Sequence, residues 1–551
     1  MANIKIPKEE FEKDIGKATP EMLNTVAMMG CTIESLTEKE IELEIFPNRP
    51  DLLSYQGFKR AFLGFIGKTK GLPKYKINPP EKDFEVKIDS SVKDIRPYTA
   101  CAIVKGLNFN DEKIKEIVDI QEKLHSTVGR KRKKVAIGIY PLEKIKLPIT
   151  LKALEPDKIK FMPLEMEREM SGLQILQRHP TGRDYAHLLA GKSKFPIFID
   201  ANKNILSMPP IINSHLTGKI TEDTKEIFIE CSGFNFDILK KALNIIITTL
   251  ADMGGKVYQM KLTGSVKDIT PDLTPEKNTL STEHTNKHLG LDLNEKQIKE
   301  LIEKMGHNYS KGKVESPAWR TDILHEVDLI EDIAIAYGYE KFIPEIPEIS
   351  TIGQEDPKET IKRKIANILS GLGMLELSNY HLTKPQDQFK KMGISDLKLK
   401  DQKFIELEES KTDYTILRKD LTHYTLKVLS ENVDSEYPQK IFETGRVFNL
   451  SPDNKIIETE KISAAITPGN FTELKQALQY LGRMMNLNIQ LMEAETPNQH
   501  FIEGRAAEIY LDENKIGEIG EIHPKILKNW KIKMPVTLLE MNLEEIFKKL
   551  L

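Results

Sequence analysis

Residues 319–339 read WRTDILHEVDLIEDIAIAYGY, and this stretch decides the local fold. Apolar side chains recur at helical spacing from Glu326 to Tyr337. Gly338 follows, as glycine often does where a helix ends in a left-handed cap. The stretch therefore predicts a helix over 326–337. Two further helices that end at glycine are predicted just before it, over 281–289 and 294–305.

The same helix carries a cluster of acidic side chains. Asp328, Glu331 and Asp332 stand at i, i+3 and i+4, on one helix face, and Asp322 precedes the helix. Like charges at this spacing repel each other, whereas a divalent cation would make the cluster favourable. Oxygen ligands without His or Cys at ligand spacing favour Mg²⁺ over zinc. From the residues alone two interpretations stay open, a magnesium site and a solvated acidic helix face that Lys or Arg neutralises.

Length and composition indicate a globular protein of several domains. A chain of 551 residues exceeds what one hydrophobic core supports, and 39% hydrophobic with 30% charged residues argues against disorder. The net charge of −3 excludes a polycation that coats nucleic acid indiscriminately. Five consecutive cations at 130–134 follow Gly129, and they form either a solvated loop or a phosphate contact.

Several classes of protein are excluded by what the sequence lacks. Three distant cysteines without CxxC spacing predict neither a disulfide framework nor a zinc site. No stretch approaches the roughly 20 apolar residues of a membrane span, and the first residues have no signal-peptide core. We therefore expect a cytosolic, cytoplasmic protein without membrane contact. The chain also lacks the GxxxxGK[ST] and GxGxxG loops, so we do not expect it to perform ATP chemistry.

Helical and strand patterns alternate along the chain, which predicts a multidomain α+β protein. The expected domains are an N-terminal α+β module at 1–75, a mixed α+β domain at 85–265, a small helical domain at 270–345 and a large α+β domain at 350–551. Proline-rich stretches mark their boundaries. In the first module Pro47 and Pro50 interrupt a strand, and Asp51 or Ser54 is expected to cap the helix at 55–65.

Two polar segments lie within the second predicted domain. They read RHPTGRDYAH (178–187) and LSMPPIINS (206–214). Clustered His, Arg, Asn and Ser side chains suit a pocket that binds a polar substrate through hydrogen bonds. Exposed surface loops are the alternative, and the residues alone leave it open.

Motifs along the whole chain resemble, in their order, those of phenylalanyl-tRNA synthetase β subunits of the archaeal/eukaryotic type. They are NRPDL (48–52), HPTGRD (179–184), SMPPIINS (207–214), the stretch 322–339, FETGRVF (442–448) and GEIGEIHP (517–524). Motifs that keep their order over this length are more specific than any one of them alone.

This resemblance implies a heterotetramer of two α and two β chains, which attaches phenylalanine to tRNA(Phe) with ATP and Mg²⁺. The α chain would carry the synthetic active site. Residues 270–345 then resemble a B5-like domain with a winged-helix-like, DNA-binding type of fold, and its magnesium ligands would be Asp322, Asp328, Glu331 and Asp332. Residues 350–551 resemble an antiparallel class II synthetase domain that has lost its chemistry and serves as an interface scaffold.

Residues 85–265 resemble the B3/B4-like editing domain of this family, which hydrolyses tyrosine wrongly attached to tRNA(Phe). The pocket implied for this chain comprises His179, Arg183, Leu206, Asn213, Ser214, Glu230 and Asn235. Editing has a physical reason, because a hydrophobic pocket rejects an added hydroxyl only about a hundredfold. A stand-alone tRNA-binding or deacylase protein built from the same domains is the alternative function.

Overall fold

The computed structural model describes residues 2–394, 403–494 and 496–551. The chain divides into two compact units, Met1–Ile346 and Pro347–Leu551. Both mix helices with sheets, which confirms the α+β, multidomain class. Within the described ranges no helix is both long enough and apolar enough to cross a membrane.

The first unit begins with a three-stranded sheet in the order β1-β3-β2. Its elements are β1 (Ala2–Pro7), α1 (Lys8–Asp14), α2 (Pro20–Met28), β2 (Thr32–Leu36), β3 (Glu40–Ile45) and α3 (Tyr55–Phe65). Ser54 caps α3, because its hydroxyl accepts a hydrogen bond from the amide of Gly57 at 3.0 Å. Of the two predicted capping residues, Ser54 is therefore the one that caps this helix.

The middle of the first unit is built on an eleven-stranded mixed sheet. Nine strands follow the order β13-β12-β11-β8-β5-β15-β6-β14-β7, and β4 and β16 also pair with β15. The elements are β4 (Ile77–Asn78), β5 (Glu85–Ile88), β6 (Tyr98–Lys105), α4 (Asp111–Ser126), β7 (Val135–Pro141), β8 (Ile149–Leu154), β9 (Lys160–Phe161), β10 (Met170–Ser171), α5 (Gly172–Arg178), α6 (Pro180–Tyr185), β11 (Phe195–Ile199), β12 (Ile205–Met208), β13 (Ile212–Asn213), α7 (His215–Gly218), β14 (Glu226–Gly233), α8 (Phe236–Asp252), β15 (Lys256–Gly264) and β16 (Asp268–Thr270).

The central strands are buried on both faces. Strand β14 is buried along almost its whole length, and β7 is buried throughout. Helix α8 packs between one face of this sheet and the N-terminal module. One continuous hydrophobic core includes side chains of α8 and of both sheets. The hydroxyls of Ser54 and Thr249 also meet across this junction at 3.1 Å. The first two predicted domains thus share a core.

The last part of the first unit combines three helices with a small antiparallel sheet in the order β17-β19-β18. Its elements are β17 (Glu276–Thr279), α9 (Thr282–Leu289), α10 (Glu295–Lys304), β18 (Asn308–Ser310), β19 (Lys313–Ser316) and α11 (Glu326–Tyr337). The bounds predicted for α11 are confirmed. The small sheet was not predicted from the sequence, because strands of three or four mostly polar residues are too short to show an alternating pattern.

The second unit has a seven-stranded sheet in the order β20-β23-β24-β28-β27-β26-β25. All neighbours in it are antiparallel except β20 and β23. The described elements are α12 (Pro357–Gly371), β20 (Leu375–Glu376), β21 (Leu382–Thr383), a π-helical turn (Gln386–Lys390), β22 (Ile416–Leu417), α13 (Thr422–Glu431), β23 (Gln439–Leu450), β24 (Ile456–Thr467), α14 (Phe471–Met484), β25 (Ile489–Glu493), β26 (Phe501–Leu511), β27 (Asn514–Ile522), α15 (Pro524–Asn529), β28 (Thr537–Asn542) and α16 (Glu544–Leu550).

Candidate functional site

A cavity of about 260 Å³ lies in the first unit, beside the β7–β14 edge of the large sheet. Helix α4 contributes one wall, and the turn between β12 and β13 contributes another. Most of its lining is apolar, with a few polar side chains that include Asn213 and Glu230. An apolar cavity with few converging polar groups is the usual form of a small-ligand site.

Strand register places a glycine opposite the buried carboxyl group of Glu230. Glu230 pairs with Gly138 on β7 and with Cys101 on β6. A Cβ atom at position 138 would lie 2.1 Å from the Tyr140 hydroxyl and 2.6 Å from Oε1 of Glu230. The Tyr140 and Glu230 side chains can therefore approach each other only because residue 138 has no side chain.

The Tyr140 hydroxyl is the centre of a buried polar network. It donates to Oγ of Ser207 at 2.8 Å, and it lies 3.3 Å from Oδ1 of Asn213 and 3.3 Å from Oε1 of Glu230. Burial and the nearby Glu230 carboxyl group raise the pKa of Tyr140 well above its ordinary value. The phenol therefore stays protonated and acts as a hydrogen-bond donor.

Glu230 keeps one carboxyl oxygen uncommitted. Its Oε2 is buried and has no hydrogen-bond partner in the described part of the chain. Burial raises the pKa of Glu230 to about 8, although the Arg96 guanidinium and the Ser232 hydroxyl act in the opposite direction. Buried polar atoms without a partner are rare and often mark functional positions. At neutral pH the Glu230 side chain is mostly a neutral carboxyl group that can form a hydrogen bond with a polar ligand.

Arg132 connects two walls of the same cavity. Its Nη1 donates to the carbonyl of Ile211 at 2.8 Å, and its Nη2 donates to Oε1 of Glu122 at 2.8 Å. Ile211 lies in the turn between β12 and β13, and Glu122 lies on α4. One guanidinium therefore ties the helix to the turn at the edge of the cavity.

The structure brings two of the seven predicted pocket residues to the cavity wall, Asn213 and Glu230. His179, Leu206 and Ser214 are buried beside it. His179 Nε2 lies 3.1 Å from the carbonyl of Leu164, a residue that lines the cavity. The amide of Ser214 donates to the Leu206 carbonyl at 2.7 Å, so these two residues shape the turn.

The other two predicted residues lie apart from the lining. Arg183 is exposed on α6, and no side-chain hydrogen bond of it is formed within the described ranges. Asn235 is exposed as well, and its Oδ1 accepts from the amide of Ile238 at 3.1 Å, which makes it the N-cap of α8. Gly138, Tyr140 and Arg132 were not predicted from the sequence as members of the site. The glycine within the otherwise apolar strand 135–139 was the available signal.

The predicted magnesium carboxylates surround an arginine instead of an open space. The Arg320 guanidinium donates to both oxygens of Asp322, at 2.8 and 2.7 Å. Its Nη2 also donates to both oxygens of Asp332, at 3.1 and 2.9 Å. His307 Nε2 lies 2.8 Å from Oδ2 of Asp332. Every carboxylate oxygen of Asp322 and Asp332 therefore already accepts at least one hydrogen bond in this arrangement.

Burial and ion pairing shift the pKa values of the buried side chains in this cluster. Although burial favours the neutral acid, Arg320 and His307 hold the pKa of Asp332 well below its usual range. Although burial opposes the charge of Arg320, the Asp332 and Asp322 carboxylates raise the pKa of this guanidinium. Arg49 of the NRPDL motif lies near enough for its charge to interact with the charges of Arg320 and Asp332. Two of the sequence motifs therefore meet here.

Asp328 and Glu331 differ from the other two acids. Oδ2 of Asp328 accepts from the amides of Leu324 and His325, each at 2.7 Å, so this carboxylate caps its own helix. Glu331 is exposed and has no hydrogen-bond partner among the described residues. Burial and repulsion from Asp332, Asp328 and Asp322 raise the pKa of Glu331. Among the described residues, no group of three His, Cys, Asp or Glu side chains is arranged to hold a metal ion.

Arg446, part of the FETGRVF motif, lies on β23 of the second unit. Its guanidinium pairs with Glu460 at 2.9 Å and with Glu458 at 2.6 Å, across the β23–β24 ladder. The neighbouring Glu443 is buried against Arg418 at 2.6 Å. These side chains are therefore engaged in pairs within the sheet.

Comparison with known proteins decides the family. Family models match a B3/4 domain at residues 102–253, a tRNA synthetase B5 domain at 278–339 and the CLM domain of the phenylalanyl-tRNA synthetase β chain at 343–543. The chain is 37% identical to the phenylalanine–tRNA ligase β subunit of Thermococcus sibiricus, over 100% of this chain and 99% of the relative. The chain belongs to the phenylalanine–tRNA ligase β-subunit family. This confirms the resemblance found in the sequence.

Other members of the family agree. The β subunit of Archaeoglobus fulgidus is 36% identical over 98% of this chain and 97% of its own length. Among solved structures, an N-terminal fragment of the phenylalanyl-tRNA synthetase β subunit from Pyrococcus horikoshii is 39% identical, covers 61% of this chain and 99% of the fragment, and superposes with a TM-score of 0.58. The mixed fold of the first unit is thus shared with a family member.

Proposed function

We propose that this chain supports the attachment of phenylalanine to tRNA(Phe) as the β subunit of a two-subunit ligase. Similarity to ligase β subunits over the full length of the chain supports this proposal. ATP would be used by a separate α subunit, in a complex of two α and two β chains. As part of translation, the enzyme would work in the cytoplasm.

The second unit is proposed as a degenerate class II domain that binds the α subunit. Large apolar side chains are exposed on it, including Tyr380 and Leu375, which are 82% and 66% accessible. Exposed apolar surface often marks a protein interface. The antiparallel sheet of this unit would then serve as a scaffold for assembly.

We propose that the cavity beside Glu230 hydrolyses tyrosine wrongly attached to tRNA(Phe). The observation that carries this proposal is the unpartnered Oε2 of Glu230 inside a mostly apolar cavity. A tyrosyl hydroxyl would satisfy this carboxyl group, whereas a phenylalanyl ring would leave it buried and unpaired. A site built to bind a hydroxyl rejects the analogue without one strongly, about 10⁴-fold or more in comparable enzymes.

The reaction itself is hydrolysis of an ester. Water adds to the tyrosyl carbonyl carbon, the bond from that carbon to the ribose oxygen breaks, and a proton from water ends on the ribose hydroxyl. Glu230 is assigned to recognition of the tyrosyl ring, and Tyr140 and Asn213 are assigned to holding Glu230 in place. Burial of the cavity would exclude competing hydrogen bonds from bulk water.

Magnesium binding is proposed only for the exposed side of the acidic cluster. Asp328 and Glu331 keep carboxylate oxygens that accept no hydrogen bond from the described residues. Mg²⁺ often binds through one or two carboxylates and keeps several waters. Asp322 and Asp332 would contribute through Arg320, by holding the cluster together.

The test of this function uses the complex formed by co-expression with the α subunit. We expect a larger stable complex that charges tRNA(Phe) and that hydrolyses Tyr-tRNA(Phe). Glu230→Met should abolish recognition of the tyrosyl hydroxyl, and Glu230→Gln should retain part of it because an amide can still form a hydrogen bond. Charging of phenylalanine should stay unchanged in both variants.

Asn235→Ala is the matched control, because Asn235 caps a helix outside the cavity lining. It should leave Tyr-tRNA hydrolysis intact. Charging of tRNA by this chain alone would contradict the assignment as a β subunit. A soluble monomer that hydrolyses Tyr-tRNA without an α subunit would instead favour a stand-alone deacylase.

A further inference from the structure

The basic run at 129–134 forms a turn with an uncommon backbone; we call it the basic turn. Arg130, Lys131 and Arg132 are consecutive residues with positive φ angles of 46°, 53° and 64°. Such angles are unfavourable for residues with side chains, and clusters of them occur preferentially at functional sites. Backbone hydrogen bonds hold the turn, from Arg132 N to His125 O at 3.0 Å and from Lys134 N to Gly129 O at 2.8 Å.

Only one cation of the basic turn is used inside the protein. Arg132 lines the cavity and binds Ile211 and Glu122, as described above. The other four, Arg130, Lys131, Lys133 and Lys134, are exposed and form no ion pair or side-chain hydrogen bond within the described ranges. Four unpaired positive charges therefore flank Arg132, which lines the cavity, in a chain whose net charge is −3.

An exposed aromatic ring lies next to the basic turn. Strand register pairs Gly233 with Val135, so Phe234 follows directly beside Lys134. The Phe234 side chain is 53% accessible although it is large and apolar. The buried Arg96 guanidinium lies 5.6 Å from the Phe234 ring centroid and donates to the carbonyl of Ser232 at 2.5 Å. Arg96 thus supports the ring and also reaches the Arg132 carbonyl at 3.5 Å.

We propose that the basic turn and Phe234 bind the single-stranded 3′ end of an RNA and direct it into the cavity. This inference rests on the editing function proposed above. Phosphates would lie against the four exposed cations, and one unpaired base would stack on Phe234. Grooves that combine positive charge with an aromatic ring are the usual binding mode for single-stranded nucleic acid.

The charge and the ring together favour single-stranded RNA over other partners. Free phosphate or an acidic protein could pair with the cations but would leave Phe234 unused. A continuous duplex keeps its bases stacked inside, so it could not stack a base on Phe234. The short path from Lys134 to Arg132, which lines the cavity, suits a strand whose last nucleotide enters that cavity.

Binding can be measured separately from hydrolysis, by fluorescence anisotropy of a labelled RNA that carries no amino acid. The protein is the full-length chain in complex with the α subunit. The probes are a short single strand ending in CCA and a blunt duplex of equal length. The variant Arg130→Gln/Lys131→Gln/Lys133→Gln/Lys134→Gln should bind the single strand at least about tenfold more weakly. The slope of log affinity against log salt should fall by roughly 0.7 for each phosphate that the variant no longer neutralises.

Phe234→Ala separates stacking from charge. It should weaken binding of the single strand by about tenfold and leave the salt slope unchanged, because no cation is removed. Lys525→Gln/Lys528→Gln/Lys531→Gln/Lys533→Gln is the matched control, since it removes four exposed lysines from the second unit. We expect it to bind the single strand as the unaltered protein does.

Two results would overturn the inference. One is single-strand affinity in the basic-turn variant equal to that of the lysine control. The other is equal binding of both probes with no effect of Phe234→Ala, which would assign the turn to duplex RNA. The RNA probes carry no amino acid, so their binding does not depend on hydrolysis. Absence of Tyr-tRNA hydrolysis together with intact binding of the single strand at the basic turn would therefore refute only the editing proposal. Intact Tyr-tRNA hydrolysis together with unchanged single-strand binding in the variants would refute only the proposal for the basic turn.

Discussion

Nη2 of Arg320 donates hydrogen bonds to both carboxylate oxygens of Asp332, at 3.1 and 2.9 Å, and both side chains are almost fully buried. The pair joins the segment that precedes α11 to the helix itself. Since Asp322 binds the same guanidinium, one arginine neutralises two of the four acids in the cluster. The first role of these two acids is therefore to hold this part of the chain together.

Replacement of Arg320 by methionine should destabilise the first unit strongly. The substitution leaves Asp332 buried without its cation, and loss of one partner of a buried pair typically costs about 3–5 kcal/mol. Urea denaturation of the Arg320→Met variant measures this cost. Lys115→Met is the control in the same unit, because Lys115 pairs with Asp111 at an exposed position and exposed ion pairs contribute little to stability. Equal costs in the two variants would contradict the prediction.

Neutralisation of Asp328 and Glu331 should abolish the response of the protein to magnesium. We expect added MgCl₂ to raise the Tm of the unaltered protein, because a ligand that binds only the folded state stabilises it. In Asp328→Asn/Glu331→Gln this rise should disappear, while the Tm without magnesium should change little as mutual repulsion is relieved. Glu300→Gln, on the exposed face of α10, is the control. A magnesium response retained in the double variant would exclude these two ligands.

Glu230 should make folding stability depend on pH. Its pKa rises on folding from an ordinary value of 4.5 to about 8, so between these values the folded state holds a proton that the unfolded state has lost. Stability from this group is complete below pH 4.5, falls by at most about 1.4 kcal/mol per pH unit as pH rises, and levels off above pH 8. The side chain introduced by Glu230→Gln does not titrate. The free energy of unfolding of this variant should therefore rise relative to that of the unaltered protein over that pH interval.

Urea denaturation of both proteins at a series of pH values measures this difference, and the other titrating groups cancel in it. If the difference in unfolding free energy between Glu230→Gln and the unaltered protein did not change with pH, Glu230 would be ionised in the folded protein.

Tyr140→Phe should raise the pKa of Glu230 further. The Tyr140 hydroxyl lies 3.3 Å from Oε1 of Glu230, and this hydrogen bond lowers the carboxyl pKa. Its loss should cost about 1 kcal/mol and move the pH-dependent interval upward, which denaturation of Tyr140→Phe with and without Glu230→Gln would detect. Tyr258→Phe is the control, because Tyr258 packs on Phe84 at a distance from the network. A shift in the control would contradict a local effect.

Local signals in the sequence were enough to predict many individual elements. The predicted bounds of α11 match the structure because its apolar spacing and the glycine that follows it are both local signals, within residues 326–338. Gly290, with a φ of 65°, ends α9 for the same local reason. Helical spacing also predicted correctly that Asp328, Glu331 and Asp332 lie close together.

The environment of these acids could not be predicted, because it depends on distant parts of the chain. His307 reaches Asp332 from the end of another helix, and Arg320 folds back from the segment before α11. The cavity shows the same limit. Glu230 and Tyr140 are distant in the sequence and meet only through the register of β14 and β7. Arg132, within the basic run, gave no sign that its side chain turns inward while its neighbours stay exposed.

Gly138 has a consequence in evolutionary terms. Every glycine codon becomes an alanine codon through one base change, and the added methyl group would fall 2.6 Å from the Glu230 carboxyl group and 2.1 Å from the Tyr140 hydroxyl. One mutational step could therefore separate the Tyr140 hydroxyl from the Glu230 carboxyl group and break up the buried polar network around Tyr140.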